Sequence, residues 1–258
     1  LSQVFEYTKN QGYISILRWN TMHHYNSWPL GKLPVEWQRP EPALLKTLGY
    51  QWNDPRDIVS IFEDKLAKYS GSKYAVAVDC CSHALFLCLK FKQITEEVLI
   101  PNHTYASVPL QILHAGARPV LKDIHWQGIY ELGRTKIYDG AARFTEGMYV
   151  GSPALQVLSF QIKKRLPIGK GGAILTDSIE AYQWLKLASY DGRNLNSSYD
   201  SPEHIKMFGW HYYMTPEDAA RGIIIMDKLA RSNPDTMNWQ SYPPLADMAQ
   251  FSQLKRLG

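Results

Sequence analysis

DPRDIVSIFEDKLAKYSGSKYAVAVDCCSHALFLCLKF (54–91) sets a helix, a strand and a second helix in immediate succession. Asp54 can cap the first helix, Pro55 suits its first position, Ile58, Ile61, Phe62 and Leu66 fall on one face, and Gly71 can end it. YAVAVD (74–79) is apolar up to Asp79, as a buried strand is, and SHALFLCLKF (82–91) is apolar almost all round, as a helix buried beside a sheet is. The alternation continues outward. VLIP (98–101), a helix near 105–115, RPVLKD (118–123), KIYD (136–139) and LQVLSF (155–160) read as further elements, with GGAILTD (171–177) as a hairpin partner or edge and a helix over 177–189. TPEDAARGIIIMDKLA (215–230) opens with Thr215 as cap, Pro216 in the first turn, and Glu217 and Asp218 where the helix dipole favours negative charge. Such alternation predicts an α/β fold with a mostly parallel sheet covered by helices.

Flanking segments are less patterned. Residues 1–54 carry four of the eight tryptophans, Trp19, Trp28, Trp37 and Trp52, which suits packing onto another surface such as a partner subunit. Residues 231–258, with Pro234, Pro243 and Pro244, read as an arm or a loose terminus.

With 258 residues, 45% of them hydrophobic and 12% aromatic, the chain can bury a large core, which excludes disorder. Its net charge of +4 is spread without a polybasic run, so no nucleic-acid stripe is expected. Cys80, Cys81 and Cys88 form neither a C-x-x-C pair nor an even set, which argues against a disulfide framework and a zinc site and for a reducing compartment. LSQVFEYTKNQGY is polar where a signal peptide needs an apolar core, and no stretch approaches the length of a membrane span. The reading is cytoplasmic. Adjacent His23 and His24 lack a third ligand at metal-site spacing, so no metal is expected.

Four junctions could carry chemistry. At VDCCSHAL (78–85) a strand gives way to a helix, where free N–H groups, the helix dipole and the Ser82 hydroxyl make an anion seat or an ordinary capped helix. IPNHTYASVPL (100–110) puts Asn102, His103, Thr104 and Tyr105 at a strand end, where Tyr105 either stacks on a planar ligand or packs. In KIYDGAARF (136–144), Asp139 closes an apolar strand and either needs a cationic or hydrogen-bonding partner or caps the next segment. In LSFQIKKRLPIGKGGAILTD (158–177), Ser159 ends a strand, Lys163 and Lys164 follow in a loop, and the glycines match neither the P-loop nor the dinucleotide spacing.

In this order the four elements resemble the DegT/DnrJ/EryC1/StrS family of pyridoxal-phosphate sugar aminotransferases, over about residues 59–230. LAKYSGSKYAVAVDCCSHAL (66–85) resembles that family's phosphate-loop region, and ARPVLKDI (117–124) its A-x-P-V-x-x-D-I segment. The resemblance implies the aspartate aminotransferase-like fold type I of pyridoxal-phosphate-dependent transferases. Residues 1–54 would be the aromatic-rich segment, 55–230 the cofactor-binding large domain, and 231–258 the remnant of a reduced C-terminal small domain.

By the family's S-F-x-x-x-K pattern, Lys164 is the lysine that carries pyridoxal 5'-phosphate, with Lys163 as its neighbouring rival. Asp139 matches the aspartate that pairs with the ring nitrogen, and Tyr105 the residue that stacks on the ring. Cys81, Ser82 and Ser159 match the phosphate cradle. GWHYYM (209–214) is the counterpart of G-Y-N-x-R-M and puts His211 where the family's asparagine reaches the partner subunit's phosphate, which implies a homodimer with shared sites. The implied reaction moves an amino group from glutamate or glutamine to a nucleotide-linked keto-sugar, with Lys164 shuttling the proton.

Several positions depart from the pattern. Cys81 replaces a glycine, Ser82 a threonine, and Ala142 the residue near the cofactor's phenolic oxygen, a contact for which Arg143 is the substitute at hand. Between IHWQGIYEL (124–132) and KIYD (136–139) a strand-helix unit is missing, and little follows residue 230. A related sugar dehydratase would carry histidine in place of Lys164. A non-catalytic scaffold would have no need to keep Asp139, Ser159 and Lys164 together.

Overall fold

The elements read from the sequence recur in the computed structural model, which describes residues 33–194, 197 and 201–257. Trp19, Trp28, His23 and His24 lie outside the described residues. The chain divides into two units, Leu1–Pro40 and Glu41–Gly258. In the first, the described residues include a 3-10 turn, Val35–Trp37, closed by Trp37 N donating to Pro34 O at 2.9 Å.

In the second unit, chain order gives α1 (Glu41–Thr47), α2 (Asp57–Ser70), β1 (Tyr74–Val78), α3 (Cys81–Phe91), β2 (Glu97–Pro101), α4 (Ser107–His114) and β3 (Arg118–Lys122). Then come β4 (Tyr130–Glu131), β5 (Ile137–Asp139), β6 (Leu155–Ser159), β7 (Gly172–Thr176), α5 (Ile179–Ser189), α6 (Pro216–Met226) and β8 (Arg256–Leu257). Gly71 ends α2 in the left-handed conformation (φ 84°), and Thr215 caps α6 by accepting from Asp218 N at 3.3 Å. Pro55 does not open α2. The Asp54 carboxylate is held by the Arg56 amide and guanidinium at 2.8–2.9 Å, which forms a separate turn, and the helix begins after it. α1, grouped by sequence with the aromatic N-terminal segment, falls in the larger unit and packs against α6.

Two sheets form, in the orders β1-β7-β6-β5-β4 and β2-β3-β8. They are more mixed than the mostly parallel sheet expected: β5–β6, β2–β3 and β3–β8 are parallel, while β1–β7, β6–β7 and β4–β5 are antiparallel. The cause is local. The segment between β6 and β7 (160–171) holds no helix and folds back on itself, with Phe160 N donating to Gly171 O at 2.9 Å, so β7 returns antiparallel as a central strand, buried at all five residues. Because β7 runs against both β1 and β6, strands β1, β6 and β5 point the same way and their carboxyl ends share one edge. The shortened connection after Leu132 becomes the tight β4–β5 hairpin. A Cβ on its turn residue Gly133 would sit 3.3 Å from Leu99 N, so the turn abuts β2 of the second sheet.

α3 packs on β1, β5, β6 and β7 of the first sheet and against α4, with Ala84 through Leu89 all buried. Beneath it, Glu63 accepts from Ala77 N at 2.8 Å and from Lys186 Nζ at 2.8 and 3.0 Å, which ties α2, β1 and α5 together. The C-terminal segment is not loose. Asn102, fully buried at the end of β2, accepts from Leu245 N at 2.8 Å and Ala246 N at 3.0 Å, Leu245 and Phe251 join the core, and β8 extends the second sheet.

Candidate active site

Carboxyl ends of parallel strands are where α/β sheets bind ligands, and here they open onto one cavity of about 500 Å³. Cys81, Ser82, Tyr105, Asp139, Ser159 and Lys164 all line it, together with Lys163. His211 does not. It lies on the surface with Nδ1 2.9 Å from Asp191 Oδ2.

The α3 end of the cavity is built by close approach. A Cβ on Gly172 would fall 2.5 Å from Cys81 N, so only glycine lets β7 meet the first turn of α3. The cap is Cys80, whose Sγ accepts from His83 N at 3.4 Å, while the first-turn amides of Cys81 and Ser82 have no intrahelical acceptor. The Ser82 hydroxyl donates to Ser107 Oγ at 2.8 Å, which brings a second hydroxyl to the same spot. Burial pushes the Cys81 thiol well above its ordinary pKa, so it stays protonated.

Asp139 is 7% exposed at the end of β5. Its Oδ2 accepts from Tyr130 OH and its Oδ1 from Ala141 N, at 2.8 and 2.9 Å. The Tyr130 oxygen also lies 2.6 Å from Thr104 Oγ1, so a three-member chain fixes the carboxylate. Burial nevertheless raises the Asp139 pKa, against those hydrogen bonds and the positive charge of Lys164. Such a carboxylate favours a cationic partner. Lys164 is half-buried and its Nζ lies 3.6 Å from Met237 Sδ. Tyr105 is 61% exposed at the rim, with Tyr242 edge-on at 6.4 Å.

Sequence reasoning missed Tyr130, Gly172 and the C-terminal wall of Met237, Ser241 and Tyr242. It also gave Arg143 the wrong task. Instead of facing a cofactor, the guanidinium donates through Nε and Nη2 to both oxygens of Asp235, each at 2.9 Å. This bidentate pair satisfies it outside the cavity, which Arg143 does not line.

At the cavity edge, His83 Nδ1 lies 2.7 Å from Asp79 Oδ1 and its ring stacks on Tyr212 at 3.7 Å. Chiefly through Asp79, and then Cys80, its pKa rises from 6.5 to about 9. The imidazolium gains its partner on folding, so the pair's contribution to stability is complete below pH 6.5 and is lost as pH rises through about 9. His83→Gln is therefore expected to flatten the decline in thermal midpoint across that window. An unchanged decline in the variant would contradict the pairing.

Among the described residues, no helix is long and apolar enough to cross a membrane, and Cys80, Cys81 and Cys88 are free thiols.

Comparison with known proteins supplies an independent view. The profile of the DegT/DnrJ/EryC1/StrS aminotransferase family matches residues 39–130 and 140–253, with its break at the β4–β5 hairpin. The spore coat polysaccharide biosynthesis protein SpsC of Bacillus subtilis is 38% identical over 94 residues, which are 36% of this chain and 24% of that one. GDP-perosamine synthase of Caulobacter vibrioides is 25% identical over 211 residues, 65% of this chain and 56% of that one. The aminotransferase structure from Psychrobacter cryohalolentis superposes with a TM-score of 0.59 at 17% identity, covering 78% of this chain and 63% of that one. The chain thus spans less than two thirds of each of these relatives. The structural likeness bears on the fold, that of fold type I.

Proposed function

Because the chain belongs to the DegT/DnrJ/EryC1/StrS aminotransferase family, we propose that it is a pyridoxal-phosphate-dependent aminotransferase that moves an amino group from glutamate or glutamine to a nucleotide-linked keto-sugar in the cytoplasm. One observation carries the reading: six residues from four separate segments, singled out by their order in the chain, converge on one cavity, the buried carboxylate of Asp139 among them.

The residues fit the cofactor. The free amides at the start of α3, with the Ser82 and Ser107 hydroxyls and Ser159, suit a phosphate. Asp139 suits a protonated ring nitrogen, Tyr105 a ring face, and Lys164 the aldehyde carbon. Bound there, the cofactor supplies an electron sink for the carbanion formed at the donor's Cα. Tyr130 and Ala141 N hold the Asp139 carboxylate in place, so its charge needs no rearrangement to meet a cation. Lys164 Nζ would move the proton from the donor's Cα to the cofactor's C4′ in the first half-reaction and from C4′ to the acceptor carbon in the second, and Met237, 3.6 Å from that nitrogen, would keep bulk water from it.

Incubating the enzyme and cofactor with ¹⁵N-labelled glutamate or glutamine and a panel of nucleotide keto-sugars tests the substrate class. A labelled amino-sugar in the product mass spectrum is expected with at least one acceptor. Cofactor binding without transfer to any acceptor would favour a non-catalytic scaffold.

His211 lies outside its own subunit's cavity, which favours a role in a partner's site and hence a homodimer. Lys164→Ala and His211→Ala proteins, each impaired alone, should recover activity when mixed, since one site in each heterodimer would then carry both native residues. No recovery would count against a shared site.

A further inference from the structure

Arg143 and Asp235 lie 92 positions apart, and their ion pair fixes the segment that covers Lys164. Resting on the aminotransferase reading, we infer that Arg143 and Asp235 are positioning residues that hold Met237 against Lys164 Nζ, so that the C-terminal segment forms the wall over the reacting nitrogen.

The connection is short and continuous. Asp235 occupies the space a Cβ on Gly128 would need, so glycine there admits the carboxylate. The next residue, Thr236, donates to Ala142 O from its amide at 2.8 Å and its hydroxyl at 3.0 Å. After it, Met237 accepts from Gly128 N through its carbonyl at 3.2 Å, and its Sδ receives both Tyr242 OH, at 2.9 Å, and Lys164 Nζ, at 3.6 Å. Asp235 thus anchors the same short segment two residues before Met237. The side chains of Arg143 and Asp235 are 30% and 12% exposed, so their two parallel charge-assisted bonds act with limited solvent screening. A thioether is a weak acceptor, so Met237 shields the lysine nitrogen without pairing its charge. Ala142 is part of the same device: lacking a polar side chain, it leaves room beside the cavity and offers its carbonyl to Thr236.

Amine acylation of the cofactor-free protein by acetic anhydride, read residue by residue by mass spectrometry, tests the inference. Exposed Lys163 serves as one reference and Lys186, held by Glu63, as the other. Arg143→Gln and Asp235→Asn should each raise acylation of Lys164 about tenfold, the scale of one lost charge-assisted pair, while Lys186 is unchanged. The double variant should label no faster than Arg143→Gln alone, because the Arg143–Asp235 pair is already lost in either single variant. Met237→Ala should expose Lys164 as well, and Met237→Leu should restore the shielding. Unaltered Lys164 labelling in the single variants, additive effects in the double, or an equal rise at Lys186 would overturn it. Labelling is read without cofactor, so its failure leaves the aminotransferase reading standing. A shielded Lys164 in a protein that transfers no amino group would count against that reading alone.

Discussion

Replacing Lys164 by alanine is expected to lower single-turnover amino-group transfer by about 10⁴-fold, the upper range for loss of a positioned acid-base group that also acts as nucleophile. Lys163 and Lys170 line the same cavity but are exposed, whereas Lys164 is half-buried beneath Met237. Among the described residues the side chain's one hydrogen bond is to a thioether, so the variant should fold with a thermal midpoint close to the parent's. Rapid-quench measurement of the first turnover separates these effects. A loss of less than about tenfold would move the assignment to Lys163.

Asp139→Asn is expected to lower transfer by about 10²–10³-fold, the scale of removing one preorganised electrostatic partner. The amide still accepts a hydrogen bond but cannot carry the negative charge that a ring cation needs. Stability should move the other way. Burial raises the folded-state pKa of Asp139, so its contribution is favourable below the ordinary carboxylate pKa and is lost as pH rises through the raised value. Above that value the cofactor-free parent therefore bears the cost of ionising a buried carboxyl, which the asparagine variant lacks. Its thermal midpoint should rise while activity falls, the opposing signs expected of a residue kept for function. Retained activity in this variant would refute the role of Asp139.

How much of this was legible before the structure differs from segment to segment. The α2–β1–α3 stretch is readable because its apolar residues follow strand and helix periods and because Gly71 ends a helix in a conformation glycine adopts freely. Asp139 and Ser159 are readable as the polar ends of apolar strands, whereas Lys164, five residues past a strand in a basic loop, is readable only through the S-F-x-x-x-K pattern of the family it resembles. Tyr130 is not, since its strand is two residues long and its meaning lies in Asp139 and Thr104 across the cavity. Residues 231–257 lack a period because they form 3-10 turns and a two-residue strand, held by side chains such as Asn102 and Arg143 from distant segments. Arg143 read as a free cation near the cofactor only because Asp235 is invisible at that distance in sequence. The mixed sheet likewise follows from connections without a helix: the segment 160–171 folds back through the Phe160–Gly171 bond and sets β7 between β1 and β6, and a tight hairpin closes β4 onto β5.

Lys164 as the cofactor-bearing lysine is the point on which the rest depends. Borohydride reduction of the protein incubated with pyridoxal phosphate, followed by peptide mass mapping, tests it most directly. A pyridoxyl mass fixed on Lys164 is the expected result; an adduct confined to Lys163, or none at all, would contradict it.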